Sequence, residues 1–214
     1  MELFDTAGES PWLEPIADGL VVLRRHALEP AQALLSAIDR VTAEAPLVHR
    51  MTPGGHPMSV AMTCCGEFGW VTDRQGYRYQ RTSPETDFPW PPMPAVFRQL
   101  AQNAAVEAGY PGFDPDACLI NRYARGAKMG LHQDRDEQDF RWPIVSVSLG
   151  LPINFQFGGR QRNERPRKIL LEHGDVVVWG GESRLNYHGV LTLKAGEHPL
   201  TGPYRYNLTF RRAR

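Results

Sequence analysis

In the stretch GLHQDRDE, residues 130–137, His132 and Asp134 set an imidazole two positions from a carboxylate, and Asp136 adds another two further on. Side chains at i and i+2 of an extended chain point the same way. The spacing therefore predicts His132, Asp134 and Asp136 on one face, with Gln133 and Arg135 on the other. A neutral imidazole beside a carboxylate is half of a metal site. Among the other histidines, His26, His49 and His198 have no carboxylate at informative spacing, and His173, in LEHGDV, suits a turn. His188 lies in RLNYHGVL, an aromatic-flanked strand pattern, and is the candidate third ligand. Two imidazoles and one carboxylate on one face of an iron leave three octahedral positions open, as in non-heme Fe(II) oxygenases. A zinc hydrolase can use the same ligands, so the triad alone does not choose the reaction.

RYNLTFR, residues 205–211, raises a second question. Arg205, Asn207, Thr209 and Arg211 alternate along it and would share one face of a strand. Two guanidiniums aimed into a β-core are costly unless they meet anions. Internal carboxylates are one answer. The other is a dicarboxylate such as 2-oxoglutarate, clamped by an arginine at each end through bidentate contacts. Asn121 and Tyr123, two apart in NRY, offer a further polar pair just before the His-x-Asp.

The elements that must hold these residues are legible from patterning. EPAQALLSAIDRV (29–41) and PAVFRQLAQNAAVEA (94–108) carry apolar residues at helical spacing. Between them, residues 46–93 are rich in Gly, Pro, Thr and aromatics and read as short strands and turns forming a flexible cover. From about residue 117 onward, β-rich runs such as SVSLG and VVVW follow at close intervals, punctuated by Gly and Pro, which suggests a sandwich or barrel of the jelly-roll kind. The expected architecture is mostly β, with two helices packed outside a C-terminal β-core.

Composition sets outer bounds. The 214 residues hold 24 basic and 24 acidic side chains, a balance that argues against a general polyanion binder. The exception is RQRNERPRK (160–168), with five cations against one Glu; it is either a solvated face or a phosphate-contacting edge. Cys64, Cys65 and Cys118 are an odd count without CxxC spacing, which argues against a disulfide framework and a structural zinc and favours a reducing cytoplasm. No apolar run is long enough to span a bilayer, and the polar N-terminus lacks the pattern of a signal peptide. No membrane partner is expected.

Taken together, NRYARGAKMGLHQDRDE, SVSLGLP, FQFGG, LEHGDVVVWGGESR, YHGV and RYNLTFR resemble the bacterial branch of the AlkB family of nucleic-acid dealkylating dioxygenases. The resemblance extends through TPGGHPMSVAMT and GWVTDRQGYRY in the N-terminal half. It implies a double-stranded β-helix (jelly-roll) core using Fe(II), O2 and 2-oxoglutarate. It divides a single domain (1–214) into an N-terminal helical extension over about 1–45, a nucleotide-recognition lid over about 46–93, and a helix plus jelly-roll catalytic core over about 94–214. His132, Asp134 and His188 would hold iron. Arg205, helped by Tyr123, would meet the distal carboxylate of 2-oxoglutarate; Arg211, with Asn121 and Asn207, would serve the carboxylate nearer the iron.

The substrates implied are 1-methyladenine and 3-methylcytosine in single- or double-stranded DNA, or in RNA. Hydroxylating the methyl group gives an unstable hemiaminal that loses formaldehyde, with succinate and CO2 as the other products. Because the methyl lies on the Watson–Crick edge, the base must leave the stack. Trp70 matches the family's stacking aromatic, with a core-packing role as its alternative, and His132 lies on the base's other side. Asp136 would face the cationic base or its exocyclic amine. Met62 and Tyr77 match parts of the substrate cover, and Arg162 matches a nucleic-acid contact. The match departs at His56, where the bacterial pattern usually carries a tyrosine. Two competing readings remain: a 2-oxoglutarate-dependent hydroxylase of a protein or small molecule, and a non-catalytic nucleic-acid-binding β domain. A monomer is expected.

Overall fold

The computed structural model describes residues 10–214. Residues 1–9, on which part of the signal-peptide argument rests, lie outside the described residues. In chain order the elements are β1 (Trp12–Ala17), β2 (Leu20–Arg24), α1 (Ala31–Glu44), β3 (Val48–Met51), β4 (Pro57–Gly66), β5 (Gly69–Asp73) and β6 (Gly76–Gln80). They continue with α2 (Ala95–Glu107), β7 (Ala117–Tyr123), β8 (Met129–His132), β9 (Ile144–Gly150), β10 (Ile153–Phe157) and β11 (Arg167–Leu171). The last three strands are β12 (Val176–Trp179), β13 (His188–Val190) and β14 (Arg205–Arg211). Eight strands form one sheet in the order β1-β2-β12-β9-β14-β7-β4-β3, and four form a second in the order β11-β10-β13-β8. The two-stranded β5–β6 hairpin stands apart.

This is the expected jelly-roll architecture. Its layers follow from alternation. On β9, Val145, Val147 and Leu149 join the apolar cluster beneath the two helices, where Leu34, Ile38, Phe97 and Leu100 are buried. Ser146 faces the other way, into a polar cavity between the sheets. β14 does the same, sending Leu208 and Phe210 to the helices and its polar residues to the cavity. The helices thus close the back of the large sheet and leave its front for chemistry.

Two expectations need correction. Among its described residues, the N-terminal extension is helical only over Ala31–Glu44, because residues 12–24 form a hairpin that extends the large sheet through β2 and β12. LVVLR is a short apolar run with β-branched residues, buried on both faces, and reads equally as the edge of a helix or a strand. Nor is the 46–93 region wholly a cover. β4 pairs with β7 over six residues, and its Val60 to Cys65 segment is buried, so only β5–β6 and the turn before β4 stand over the front face. The β4 segment lacks clean polar alternation because the sheet is covered on both sides there.

If β2 belongs to the core, Leu23→Ala should destabilise the protein by about 2–5 kcal/mol through cavity formation. Leu23 is 1% exposed in the cluster beneath the helices. A urea midpoint close to wild type would instead make the hairpin peripheral.

Candidate metal and co-substrate site

His132 ends β8, and His188 begins β13 directly opposite it as its cross-strand partner. A side chain at Gly189 would strike the β8 backbone, since its Cβ would lie 2.7 Å from the Met129 carbonyl oxygen. Glycine there lets the two histidine strands approach closely. Asp134 follows after the chain has left the strand, so the i, i+2 expectation holds for His132 and Asp134 by convergence, not by a continuous strand. His132 Nε2 lies 3.6 Å from Asp134 Oδ1, and His188 Nε2 lies 3.6 Å from Oδ2. One ligand atom from each of the three residues falls within 4.8 Å of the others.

The backbone fixes which imidazole nitrogen is offered. His132 Nδ1 sits 2.9 Å from the Gly130 carbonyl and His188 Nδ1 sits 3.0 Å from that of Asn186. Each Nδ1 must carry the proton to donate to its carbonyl, which leaves the Nε2 lone pair facing Asp134. Phe155, Phe157 and Trp179 wall in the His188 ring. Surrounding protein atoms and the neighbouring His188 imidazole push the His132 pKa down to about 4, favouring the neutral ligand form. Burial works to raise the Asp134 pKa, but Arg211 and the two imidazoles hold it well below the usual carboxylate range. The set is two imidazoles and one carboxylate, a donor set that suits a divalent first-row metal.

Arg205, Asn207, Thr209 and Arg211 line one cavity together with Asn121, Tyr123 and the triad, as alternation predicts. Arg205 is 2% exposed; its Nη2 donates to Ser148 Oγ at 2.9 Å and its guanidinium stacks over the Tyr123 ring. Its Nε and Nη1 have no hydrogen-bond partner among the described residues, and neither do Trp179 Nε1 and Asn121 Oδ1, whose residues line the same cavity. Buried donors are seldom left unpaired. Three open N–H groups and a buried cation therefore describe a place for an anion with several oxygens. Burial lowers the Arg205 pKa despite Tyr123, which shows how weakly the protein itself compensates that charge.

Arg211, expected to serve the co-substrate carboxylate nearer the iron, is paired with Asp134 in this structure. Its Nη2 and Nε donate to Asp134 Oδ2 at 2.6 and 3.1 Å. Oδ2 is thereby engaged, and Oδ1 faces His132. Asn121 Nδ2 donates to Asn207 Oδ1, and Asn207 is held in turn by Ser146 and Val147, so the two asparagines form a bonded pair.

On the cover, Trp70 and Tyr77 stack with ring centroids 5.5 Å apart, and Tyr77 is 49% exposed. Asp136 accepts from Trp70 Nε1 at 2.8 Å, so it fixes the indole. Met62 does not line the cover surface: it is fully buried on β4 among core residues, because its neighbours on both sides of the sheet enclose it. His56 and Arg162 are exposed in turns away from the triad cavity. The sequence reading missed Trp179, Glu137 and Arg184. The two buried charges had a signal, since each is an ionisable group within three or four residues of a proposed ligand.

Compared with known proteins, residues 19–211 match the family model of the 2OG-Fe(II) oxygenase superfamily. The chain belongs to that superfamily. It is 60% identical over 213 residues to the alpha-ketoglutarate-dependent dioxygenase AlkB of Salmonella typhimurium and 61% identical to that of Escherichia coli, covering all of this chain and 98% of each relative. The solved structure of OsALKBH1 superposes with a TM-score of 0.81 at 29% identity, covering 94% of this chain and all of that one. This superfamily member is thus an enzyme, an AlkB-type dioxygenase that takes Fe(II) and 2-oxoglutarate. The donor set and the open N–H groups fit both.

The same oxygenase core carries a titratable brace remote from the triad. Gly150 N–H, at the end of β9 opposite Arg205, donates to His173 Nδ1 at 2.9 Å, and the His173 ring packs 4.5 Å from that of His198. Burial, reinforced by His198, lowers the His173 pKa to about 4 from 6.5. The unfolded chain binds a proton there at pH values where the folded chain does not, so stability should fall as pH drops from about 6.5 toward 4. Urea midpoints measured across that window should fall less steeply in His173→Gln than in wild type; equal slopes would remove His173 from the acid response.

Proposed function

We propose that the chain works as one catalytic domain that oxidatively demethylates alkylated bases in nucleic acid, with 1-methyladenine and 3-methylcytosine in DNA as the leading substrates. The observation that carries the reading is the combination of three features: a two-His, one-Asp triad, a buried Arg205 with open donors, and a stacked aromatic pair tied through Trp70 to Asp136, two residues past the carboxylate ligand. The relatives support it. Alongside the AlkB dioxygenases, an Arabidopsis thaliana protein named DNA N(6)-methyladenine demethylase is 32% identical over 73% of this chain, covering 40% of that relative.

In this reading His132, Asp134 and His188 hold Fe(II) through Nε2, Oδ1 and Nε2. Bound iron supplies activation of O2 coupled to decarboxylation of 2-oxoglutarate. Arg205 receives the distal carboxylate, with Trp179 Nε1 as an additional donor in the same cavity and Tyr123 supporting the guanidinium from its ring face. Arg211 orients Asp134 and screens the carboxylates gathered around it. The β4 to β6 segment supplies base recognition. Trp70 and Tyr77 give a stacking surface for a cationic base, and Asp136 holds the indole in place while adding negative charge near it. A base must leave the stack to reach this surface. Arg162 and the basic run 160–168 form an exposed edge suited to phosphates, and RNA would use the same surface. His56, exposed before β4, contacts the strand. O2 completes the co-substrates, and no described helix is long and apolar enough to cross a membrane.

Arg205→Ala should raise the 2-oxoglutarate requirement by about 30- to 1000-fold, from loss of a charge-assisted contact worth about 2–4 kcal/mol. Succinate formation measured against 2-oxoglutarate concentration checks this, and an unchanged KM would place the co-substrate elsewhere.

Trp70→Ala should leave the urea midpoint within about 1 kcal/mol of wild type, since the ring is only half buried on a hairpin. Formaldehyde release from methylated single-stranded DNA should fall by the stacking contribution of about 1–3 kcal/mol. A strongly destabilised variant, or one repairing at the normal rate, would make Trp70 a core aromatic.

A further inference from the structure

Trp70 and Tyr79 are cross-strand partners in the β5–β6 hairpin, and both reach down to the segment that follows Asp134. Trp70 takes Asp136, while the Tyr79 hydroxyl donates to Glu137 Oε1 at 2.6 Å. Glu137 is 6% exposed and touches neither the triad histidines nor the cavity. Its Oε1 lies 3.3 Å from Arg211 Nε, and its Oε2 accepts from Arg184 Nη2 at 3.0 Å. Arg211 therefore lies between two carboxylates, Glu137 and Asp134. Arg184 closes the ring from the other side: its Nη1 donates to the Asp134 carbonyl at 2.8 Å and its Nε to that of Trp142 at 3.0 Å.

Such a ring is costly to build. Two guanidiniums and two carboxylates are nearly removed from water, and they stay charged only while each is matched by the others. For stability alone, apolar side chains would serve as well. What the ring does that apolar packing cannot is hold the Arg211 guanidinium at a set position on Asp134 Oδ2, leaving Oδ1 toward His132. Without the Glu137 charge, Arg211 would lean wholly on Asp134 and compete for the carboxylate. Without the Tyr79 hydroxyl, the hairpin that carries the stacking pair would lose its link to that arrangement.

We infer that Glu137, held by Tyr79 of the hairpin, is a positioning residue that shares Arg211 with Asp134 and so links the seating of the base-recognition hairpin to the geometry of the metal ligands. This rests on the Fe(II)/2-oxoglutarate reading of the site. Neither residue touches iron, co-substrate or base; each acts through Arg211 and Asp134.

The test uses the full chain, Glu137→Gln and Tyr79→Phe, with two readouts. Under anaerobic conditions, the metal-to-ligand charge-transfer absorption of the Fe(II)·2-oxoglutarate complex is titrated with Fe(II). With O2 and a 1-methyladenine oligonucleotide, succinate formed per formaldehyde released is counted. Glu137→Gln should alter the absorption band and weaken Fe(II) by roughly tenfold or more, as loss of an outer partner does at other metal sites. Its oligonucleotide KM should stay within about twofold, because no base contact is removed. Tyr79→Phe should keep Fe(II) affinity but raise the succinate-to-formaldehyde ratio at least about threefold, a lost-coupling signature that a merely structural role would not give.

A Glu137→Gln protein with the wild-type band, affinity and product ratio would overturn the inference, as would a Tyr79→Phe protein with unchanged coupling. If Glu137→Gln does not fold, judged by thermal denaturation, Tyr79→Phe alone decides. Failure of the underlying reading would look different: the wild-type protein would show no such band and no succinate.

Discussion

Asp134 is the residue on which the front of this protein depends. Its carboxylate sits between two imidazoles and a guanidinium, in a place where burial by itself favours the protonated acid. Arg211 reverses that preference. An ionised Asp134 requires Arg211 beneath it, and a buried Arg211 requires a second carboxylate if it is not to collapse onto the first. Glu137 supplies that charge, and Glu137 in turn requires donors from Arg184 and Tyr79. Each partner is demanded by the one before it, since an unmatched charge in this environment costs several kcal/mol. The chain of requirements runs from a metal ligand to the hairpin over the cavity.

The co-substrate end of the cavity is built on the opposite principle. Arg205 is as buried as Arg211 but has no carboxylate partner, only Ser148 and the Tyr123 ring. Its unpaired donors are tolerable in a protein whose working state contains a dianion. One arginine is satisfied and fixes a ligand; the other is left wanting and waits for one. The two lie six residues apart on β14, facing the same cavity, and differ in what their neighbours offer.

Much of this was legible in the sequence because a strand has period two. Arg205, Asn207, Thr209 and Arg211 announce a polar face inside an apolar run, and two arginines there call for buried anions, whether internal carboxylates or a bound dicarboxylate. Gly-flanked His188 and the His132-x-Asp134 pair were readable for the same reason. What escaped was the partnership across long sequence separation. Nothing in RYNLTFR says that Arg211 will meet Asp134, 77 positions earlier. Glu137 and Arg184 carry no spacing that marks them as buried, and their burial follows from how the loops after β8 and before β13 pack. The β1–β2 hairpin was not read because LVVLR is short, with four consecutive apolar residues before Arg24, so neither period is visible. Met62 was misplaced because a cover and a core strand share one continuous segment, and the boundary between them is set by β7, not by β4 itself.

That shared segment has a mechanical consequence. β4 is locked into the large sheet by β7, while β5 and β6 bond only to each other and reach the core through side chains. Backbone ladders resist displacement along their whole length, whereas the hairpin meets the rest of the protein through side chains: Val71 is buried in the core, Thr72 Oγ1 donates to the Met51 carbonyl, and Trp90 Nε1 donates to that of Gln80. Two more of its bonds, Trp70 to Asp136 and Tyr79 to Glu137, end on adjacent residues, two and three positions after the carboxylate ligand. A hairpin anchored anywhere else on the sheet would cover the cavity equally well. Anchored here, a base that reseated Trp70 would also pull on the segment carrying Asp134, which is what would make recognition and order at the metal variables of a single segment.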